Sequence, residues 1–97
     1  MKYIVHLEID PDAGFELENN PKLIQDLMAK WQVHKPIGMY FSLTRRTITI
    51  ILEAANEDTF FEALHATWRA VKEYPDVFPL ATADEFPKIL ARVGIGK

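Results

Sequence analysis

Two runs of alternating residues flank a short polar segment in the middle of the chain, and their pairing constrains the fold more than any other feature. The stretch from Tyr40 to Ala54 reads YFSLTRRTITIILEA. If Tyr40 pairs with Thr49, six apolar residues share one face of the hairpin, whereas a shift by one residue mixes the two faces. The six residues are Ile37, Met39, Phe41, Ile48, Ile50 and Leu52.

The same register determines the length of the loop, because only an even number of loop residues keeps these pairs aligned. A two-residue turn favours Asn-Gly or a similar pair, and Thr44-Arg45 is a poor match for it. We therefore predict a four-residue loop from Leu43 to Arg46. Arg45 and Arg46 then lie at or beside an exposed tip, where we interpret them as solvated charges. The alternative is that they clamp an anion.

A period-two pattern near the start of the chain predicts another strand, and residues 76–82 are predicted to form a fourth. The last of them contains Pro79, which has no N–H to donate and therefore belongs on an edge strand. Residues 10–20, which follow the first strand, are predicted to form an acidic loop. The four predicted strands are residues 2–9, 37–43, 47–54 and 76–82.

Two segments have helical spacing of their apolar residues. The first begins at Asn20-Pro21, a capping side chain followed by proline at the first helical position. Asn56 or Asp58 caps the second. The predicted apolar stripes are Ile24, Leu27, Met28 and Trp31 in the first helix, and Phe60, Phe61, Leu64, Trp68 and Val71 in the second.

The resulting order, βαββαβ, predicts an α+β chain of the ferredoxin-like type, with an antiparallel sheet of order 4-1-3-2 and both helices on one face. That order puts the fourth strand on an edge, as Pro79 requires, and the very apolar third strand in the centre. Residues 1–97 suit a single domain, in which residues 83–97 form a C-terminal extension. We predict that this apolar extension packs on its own domain; the alternative is that it crosses to a partner subunit.

Composition excludes several classes of function. The net charge of −3 argues against nucleic-acid and anionic-membrane partners, which require a basic face. The absence of cysteine excludes disulfides, thiolate metal sites and a cysteine nucleophile. The first run, MKYIVHLEID, alternates and carries charges, so it is neither a signal sequence nor a membrane span. The predicted location is cytoplasmic.

The sheet face opposite the helices carries the candidate catalytic residues. His6 and Glu8 lie two apart on the first strand and point to the same side as Tyr40, so an imidazole, a carboxylate and a phenol are available to move protons. Ser42 and Thr49 on the same face are candidate ligand-binding residues. The alternative is that His6 and Glu8 form a hydrogen-bonded polar pair at a dimer interface.

Three residues of the helices are further candidates for ligand binding. Trp31 and Trp68 are placed to line a pocket between helix and sheet, although core packing is the alternative for both. His65 lies beside Trp68 on the second helix, where a half-exposed structural role is the alternative. The histidines lack metal-ligand spacing and the chain has no Gly-rich phosphate loop, so we predict neither a metal nor a cofactor.

The βαββαβ pattern over residues 2–82 and the stretch EALHATWRAVKEYPDVFPLAT resemble the dimeric α/β-barrel proteins, and among them the muconolactone-isomerase-like group. This resemblance implies homo-oligomerisation and a small organic ligand beside the sheet, but it does not extend to a catalytic motif. Three hypotheses follow: a small-ligand-binding domain, a cofactor-independent isomerase or monooxygenase, and a structural or protein-interaction module.

Overall fold

Four strands and four helices make up residues 2–54 and 56–95, the part of the chain that the computed structural model describes. The predicted α+β class is confirmed. None of the helices in these residues has the length and apolar composition needed to cross a membrane. The elements are β1 (Lys2–Glu8), α1 (Pro11–Glu18), α2 (Pro21–Gln32), β2 (Gly38–Phe41), β3 (Thr47–Glu53), α3 (Glu57–Val71), β4 (Asp76–Leu80) and α4 (Glu85–Arg92).

The strands form one antiparallel sheet in the order β2-β3-β1-β4. Counted from β4, this order is compatible with the predicted 4-1-3-2. β3 lies in the interior of the sheet and β4 on an edge. Pro79 lies opposite Tyr3 in that edge strand. An edge strand has a neighbouring strand on one side only, so an N–H that is missing on its outer side removes no interstrand hydrogen bond.

The predicted register of the central hairpin is confirmed. Tyr40 lies opposite Thr49, and the neighbouring pairs follow in step. The Ser42 N–H donates to the carbonyl of Thr47 at 3.1 Å, which closes a four-residue loop from Leu43 to Arg46. Alternation thus predicted the pairing, and the lack of a suitable two-residue turn sequence predicted the length of the loop.

β2 is shorter than predicted, because the pairing breaks at its start. Ile37 does not lie opposite Leu52; its N–H donates at 2.8 Å to the carbonyl of Ile51, which is the partner of Gly38. Lys35 before it has a positive φ of 49° and is followed by Pro36, so the chain enters the sheet through a turn. Ile37 is consequently exposed rather than part of the apolar face.

Residues 10–20 were predicted to form a loop, and that prediction is wrong for most of them, because they contain helix α1. The carboxylate of Asp10 accepts the Ala13 N–H at 2.9 Å and caps the helix, and Pro11 occupies its first turn. Leu17 on this helix is buried in the core. Asn20-Pro21 also begins a helix, as predicted, but the Asn20 side chain makes no capping hydrogen bond.

The core lies between the sheet and helices α1, α2 and α3. Val5, Ile50 and Leu52 of the sheet are buried against side chains of α2 and α3. α3 does not bury its whole predicted stripe: Phe61 and Trp68 are 60% and 43% exposed. The residues that α3 buries completely are the small or β-branched Ala63, Thr67 and Val71, which allow the helix to approach its neighbours closely.

Helix α4 projects from this core. It has no buried residue, it joins neither apolar cluster of the described residues, and it comes close to no other helix. The structure therefore does not show the packing on its own domain that we predicted for the extension. The molecule is 54 Å long, and its radius of gyration of 15.7 Å exceeds the ~12.5 Å typical of a compact domain of this length.

Candidate functional site

The open face of the sheet brings together most of the predicted catalytic residues. One row across the four strands consists of Tyr40, Thr49, His6 and Asp76. His6 is half-buried, and its Nδ1 lies 3.0 Å from the hydroxyl oxygen of Thr49, within hydrogen-bond distance. Alternation therefore predicted correctly that these residues share one face of the sheet, and Thr49 is in direct contact with the histidine.

Tyr40 is on the same face but is directed away from His6. Its ring lies over Gly38, where a Cβ would be 2.6 Å from the Tyr40 Cε2 and 3.0 Å from its hydroxyl. Thr49 on β3 separates it from His6, and two strand spacings of ~4.8 Å separate the backbones. Glu8 belongs to the next row, opposite Thr47, and is exposed. The three candidate catalytic side chains thus share a surface without forming one cluster.

The candidates on the helices lie on the other side of the sheet. Trp31 is 2% exposed, and its indole Nε1–H donates to the hydroxyl of Thr67 at 3.0 Å. The Thr67 hydroxyl donates in turn to the carbonyl of Ala63 at 2.8 Å. This chain of hydrogen bonds satisfies the buried indole, so the structure places Trp31 in the apolar core.

His65 and Trp68 belong to an aromatic stack on the outer side of α3. His65 is stacked between Phe61 and Trp68 at centroid distances of 5.9 and 5.7 Å, and Tyr74 continues the stack 6.1 Å beyond Trp68. The His65 Nδ1 is buried and has no hydrogen-bond partner in the described part of the chain. The spacing of Phe61, His65 and Trp68 at four and three residues is the sequence signal for this stack.

An apolar depression lies elsewhere, between helices α1 and α2 and the β2–β3 hairpin. We call it the hairpin cavity. Its volume is about 320 Å³, which lies within the range of small-molecule sites, ~300–1,000 Å³. Seven apolar side chains form its floor and walls: Ile9, Leu17, Ile24, Leu27, Met28, Phe41 and Ile48.

Polar groups line the hairpin cavity on the side of the loop. Arg45 and Arg46 are its basic residues and Glu18 is its acidic one, and Ser42 and Thr47 complete the polar part. Ser42 is the one predicted ligand-binding residue that reaches this cavity. Its hydroxyl accepts the N–H groups of Thr44 at 3.2 Å and of Arg45 at 3.1 Å, and so organises the loop without a glycine.

Arg46 is held in place by both its backbone and its side chain. Its carbonyl accepts the Ile9 N–H at 2.8 Å, which ties the loop to the end of β1. Its side chain crosses α1 at Gly14, where a Cβ would be 2.6 Å from Cδ and 2.7 Å from Nε. The absence of a side chain at residue 14 is what allows Arg46 to lie along the wall of the cavity.

Comparison with known proteins gives no match: no protein-family model, curated protein or solved structure is significantly similar to this chain. The resemblance to the muconolactone-isomerase-like proteins therefore stays a prediction. Within residues 2–54 and 56–95, no three histidine, aspartate or glutamate side chains are grouped so that they could hold a metal ion.

The sequence patterns used above did not reveal the hairpin cavity, because its lining comes from helices α1 and α2, strands β2 and β3, the hairpin loop and the residue after β1. Two local signals point toward it in retrospect. Gly14 lies inside a helix that starts at Asp10-Pro11, a position where glycine is costly unless a close neighbour requires it. Arg45 and Arg46 lie in a loop whose length is determined by the hairpin register.

Proposed function

We propose that this protein binds a small, mostly apolar organic molecule in the hairpin cavity. The observation that carries the proposal is the lining of the cavity: seven apolar side chains together with a few polar groups, most of which come from the β2–β3 hairpin and its loop. Ligand sites generally have this composition, since apolar surface provides affinity and a few placed polar groups provide orientation. Phe41 is 54% exposed at its edge, so a ligand would cover apolar surface that water now contacts.

The enzymatic hypothesis, a cofactor-independent isomerase or monooxygenase, has weaker support. It requires His6, Glu8 and Tyr40 to act on one molecule, and general acid–base catalysis requires each group to reach the atom it protonates or deprotonates. The Tyr40 ring lies over Gly38, and the imidazole of His6 contacts Thr49 instead. Binding in the hairpin cavity needs no such rearrangement.

We also propose that the chain has the ferredoxin-like fold and forms a homodimer, as in dimeric α/β-barrel proteins. Two apolar surfaces support the dimer. The open sheet face presents a row of Ile51, Ile4 and Phe78, and α4 presents an apolar stripe. The stripe consists of Phe86, Ile89, Leu90 and Val93.

A second copy of the chain is the partner that suits both surfaces, because each copy offers them to the other across a two-fold axis. The accessible surface of the chain is 7097 Å², compared with the ~5,700 Å² expected for a monomer of 11.2 kDa. The excess is larger than the ~800 Å² that each partner buries in a standard interface. Under the third hypothesis, an interaction module, a different protein would cover the same two surfaces.

Ligand binding is tested by NMR titration of the ¹⁵N-labelled protein with 4-phenylbutyrate and with its uncharged analogue 4-phenylbutanamide. We expect saturable shifts at residues that line the hairpin cavity with at least one of the two. Ile24→Trp should suppress these shifts by filling the cavity. Leu23→Trp is the matched control, because Leu23 directly precedes Ile24 in α2, is similarly half-buried, and lines no part of the cavity.

Saturation with neither compound would overturn the binding proposal, as would shifts confined to the open sheet face.

The dimer is tested separately by light scattering after gel filtration. We expect a mass of twice the 11.2 kDa of the chain. The mass of a single chain at high micromolar concentration would contradict the dimer and would leave the ligand proposal intact.

A further inference from the structure

We infer that the ligand of the hairpin cavity carries a single carboxylate, and that Arg45 and Arg46 bind it while the apolar floor holds the rest of the molecule. This inference rests on the proposed function and adds the chemical class of the ligand. It also reverses the interpretation of the two arginines as merely solvated charges.

The first argument is the position of the charges. Both arginines line the same cavity, whose other lining residues are mostly apolar and include a single carboxylate, that of Glu18. In the described part of the chain neither guanidinium forms an ion pair with a carboxylate. A guanidinium offers a planar fork of donors that matches the two oxygens of a carboxylate, so a bound carboxylate would supply the missing partner.

The second argument is preorganisation. The loop is held by the Ser42 hydroxyl and by the hydrogen bond from Ile9 to the Arg46 carbonyl. The Arg46 residue is exposed, but its Cδ and Nε atoms lie against Gly14. A long side chain that is already placed loses less conformational freedom when it binds, and this raises the affinity for its ligand.

The third argument concerns the number of charges that the ligand carries. Two arginines and Glu18 give the cavity lining a net charge of one positive unit. Both arginines also border a second depression that contains Glu8, Asp10 and Glu73, whose carboxylates would repel a multiply charged ligand. A monoanion matches this balance better than a phosphate dianion does.

The fourth argument is size. At ~30 Å³ per water molecule in the liquid, 320 Å³ corresponds to roughly ten water molecules. A carboxylate attached to a ring or to a short hydrocarbon chain has about this number of non-hydrogen atoms. The ligand class is therefore a small apolar monocarboxylic acid.

The test compares the two probes introduced above, 4-phenylbutyrate and 4-phenylbutanamide, which differ in charge but hardly in shape. We expect the carboxylate to bind at least tenfold more tightly to the wild-type protein in low salt. Arg46→Gln should reduce this preference to less than threefold while it leaves the affinity for the amide unchanged. Arg45→Gln, in the same loop, should reduce the preference as well.

The outcomes separate this inference from the proposed function. Equal affinity for both probes would overturn the carboxylate inference and leave the binding proposal standing. Binding of neither probe would overturn both. A preference for the carboxylate that survives both arginine substitutions would also overturn the assignment to Arg45 and Arg46, since the charge would then be recognised elsewhere.

Discussion

Arg46 lies across helix α1 at Gly14, so close that a Cβ on residue 14 would be 2.6 Å from the Arg46 Cδ. The two residues are 32 positions apart in sequence. Their contact joins the hairpin loop to the helix after β1 and forms one wall of the hairpin cavity. Any side chain at residue 14 must displace the arginine, because the far end of a flexible side chain moves more easily than a helix backbone.

The first prediction tests this contact. Gly14→Ala should weaken binding of 4-phenylbutyrate several-fold, because the new methyl group pushes the guanidinium away from the cavity. The fold should persist, since alanine is favoured over glycine in a helix by up to ~1 kcal/mol. Isothermal titration calorimetry with 4-phenylbutyrate of Gly14→Ala, Arg46→Gln and the double variant measures the coupling between the two residues. We expect the double variant to bind no more weakly than Arg46→Gln; additive losses would show that the two residues act independently.

The second prediction concerns the buried indole of Trp31. Thr67→Val keeps the shape of the side chain but removes the hydroxyl that accepts the Nε1–H at 3.0 Å. Both residues are almost fully buried, so the indole N–H would be left without a partner. We expect the free energy of unfolding in urea to fall by ~1–3 kcal/mol. Thr67→Ser is the control, because it retains the hydroxyl. If it lowers the free energy of unfolding as much as Thr67→Val does, the hydrogen bond does not have the proposed role.

The third prediction concerns pH and the start of α4. Glu85 and Thr82 form a reciprocal cap: the Glu85 N–H donates to the Thr82 hydroxyl and the Thr82 N–H donates to the Glu85 carboxylate. Hydrogen bonds from the side chain and then the backbone of Thr82 lower the pKa of Glu85. The cap therefore contributes fully above the ordinary pKa of a glutamate and is lost as the pH falls through the lowered value.

This cap is measured by ¹³C NMR titration of the Glu85 carboxyl group. The amide chemical shifts of residues 85–92 report whether α4 remains helical. We expect Thr82→Ala to raise the pKa of Glu85 towards its ordinary value, while Thr82→Ser retains the lowered pKa. An unchanged midpoint in Thr82→Ala would contradict the hydrogen bond as the main cause.

The fourth prediction tests the apolar stripe of α4 as the dimer contact. Phe86 is 55% exposed on that stripe, and Ala91 lies on the opposite side of the same helix. Phe86→Asp should convert the proposed dimer to a monomer, because it would place a charge where the proposed interface buries apolar surface. Ala91→Asp adds the same charge to the polar side and should leave the dimer intact. Light scattering measures the molecular mass of both variants. If both variants keep the mass of a dimer, the interface lies elsewhere.

The sequence predicted the hairpin well because the information it uses is local. Alternation with period two gives the pairing of Tyr40 with Thr49, and the pairing gives the four-residue loop. The same kind of information gave the edge position of Pro79 and the cap at Asn56, whose side chain accepts the Thr59 N–H at 2.8 Å. It also predicted correctly that His6, Glu8 and Tyr40 lie on one face of the sheet, although they do not form one cluster there.

What the sequence could not determine depends on how the elements pack in three dimensions. Apolar spacing on α3 did not show that Ala63 and Thr67 face the core while Phe61 and Trp68 stack outside it. Nor did it show that Arg46 meets Gly14, because that contact joins two segments whose distance is set by the packing of α1 on the sheet. Periodicity determines which face of a single element is apolar; only tertiary structure decides which faces meet and where they leave a cavity.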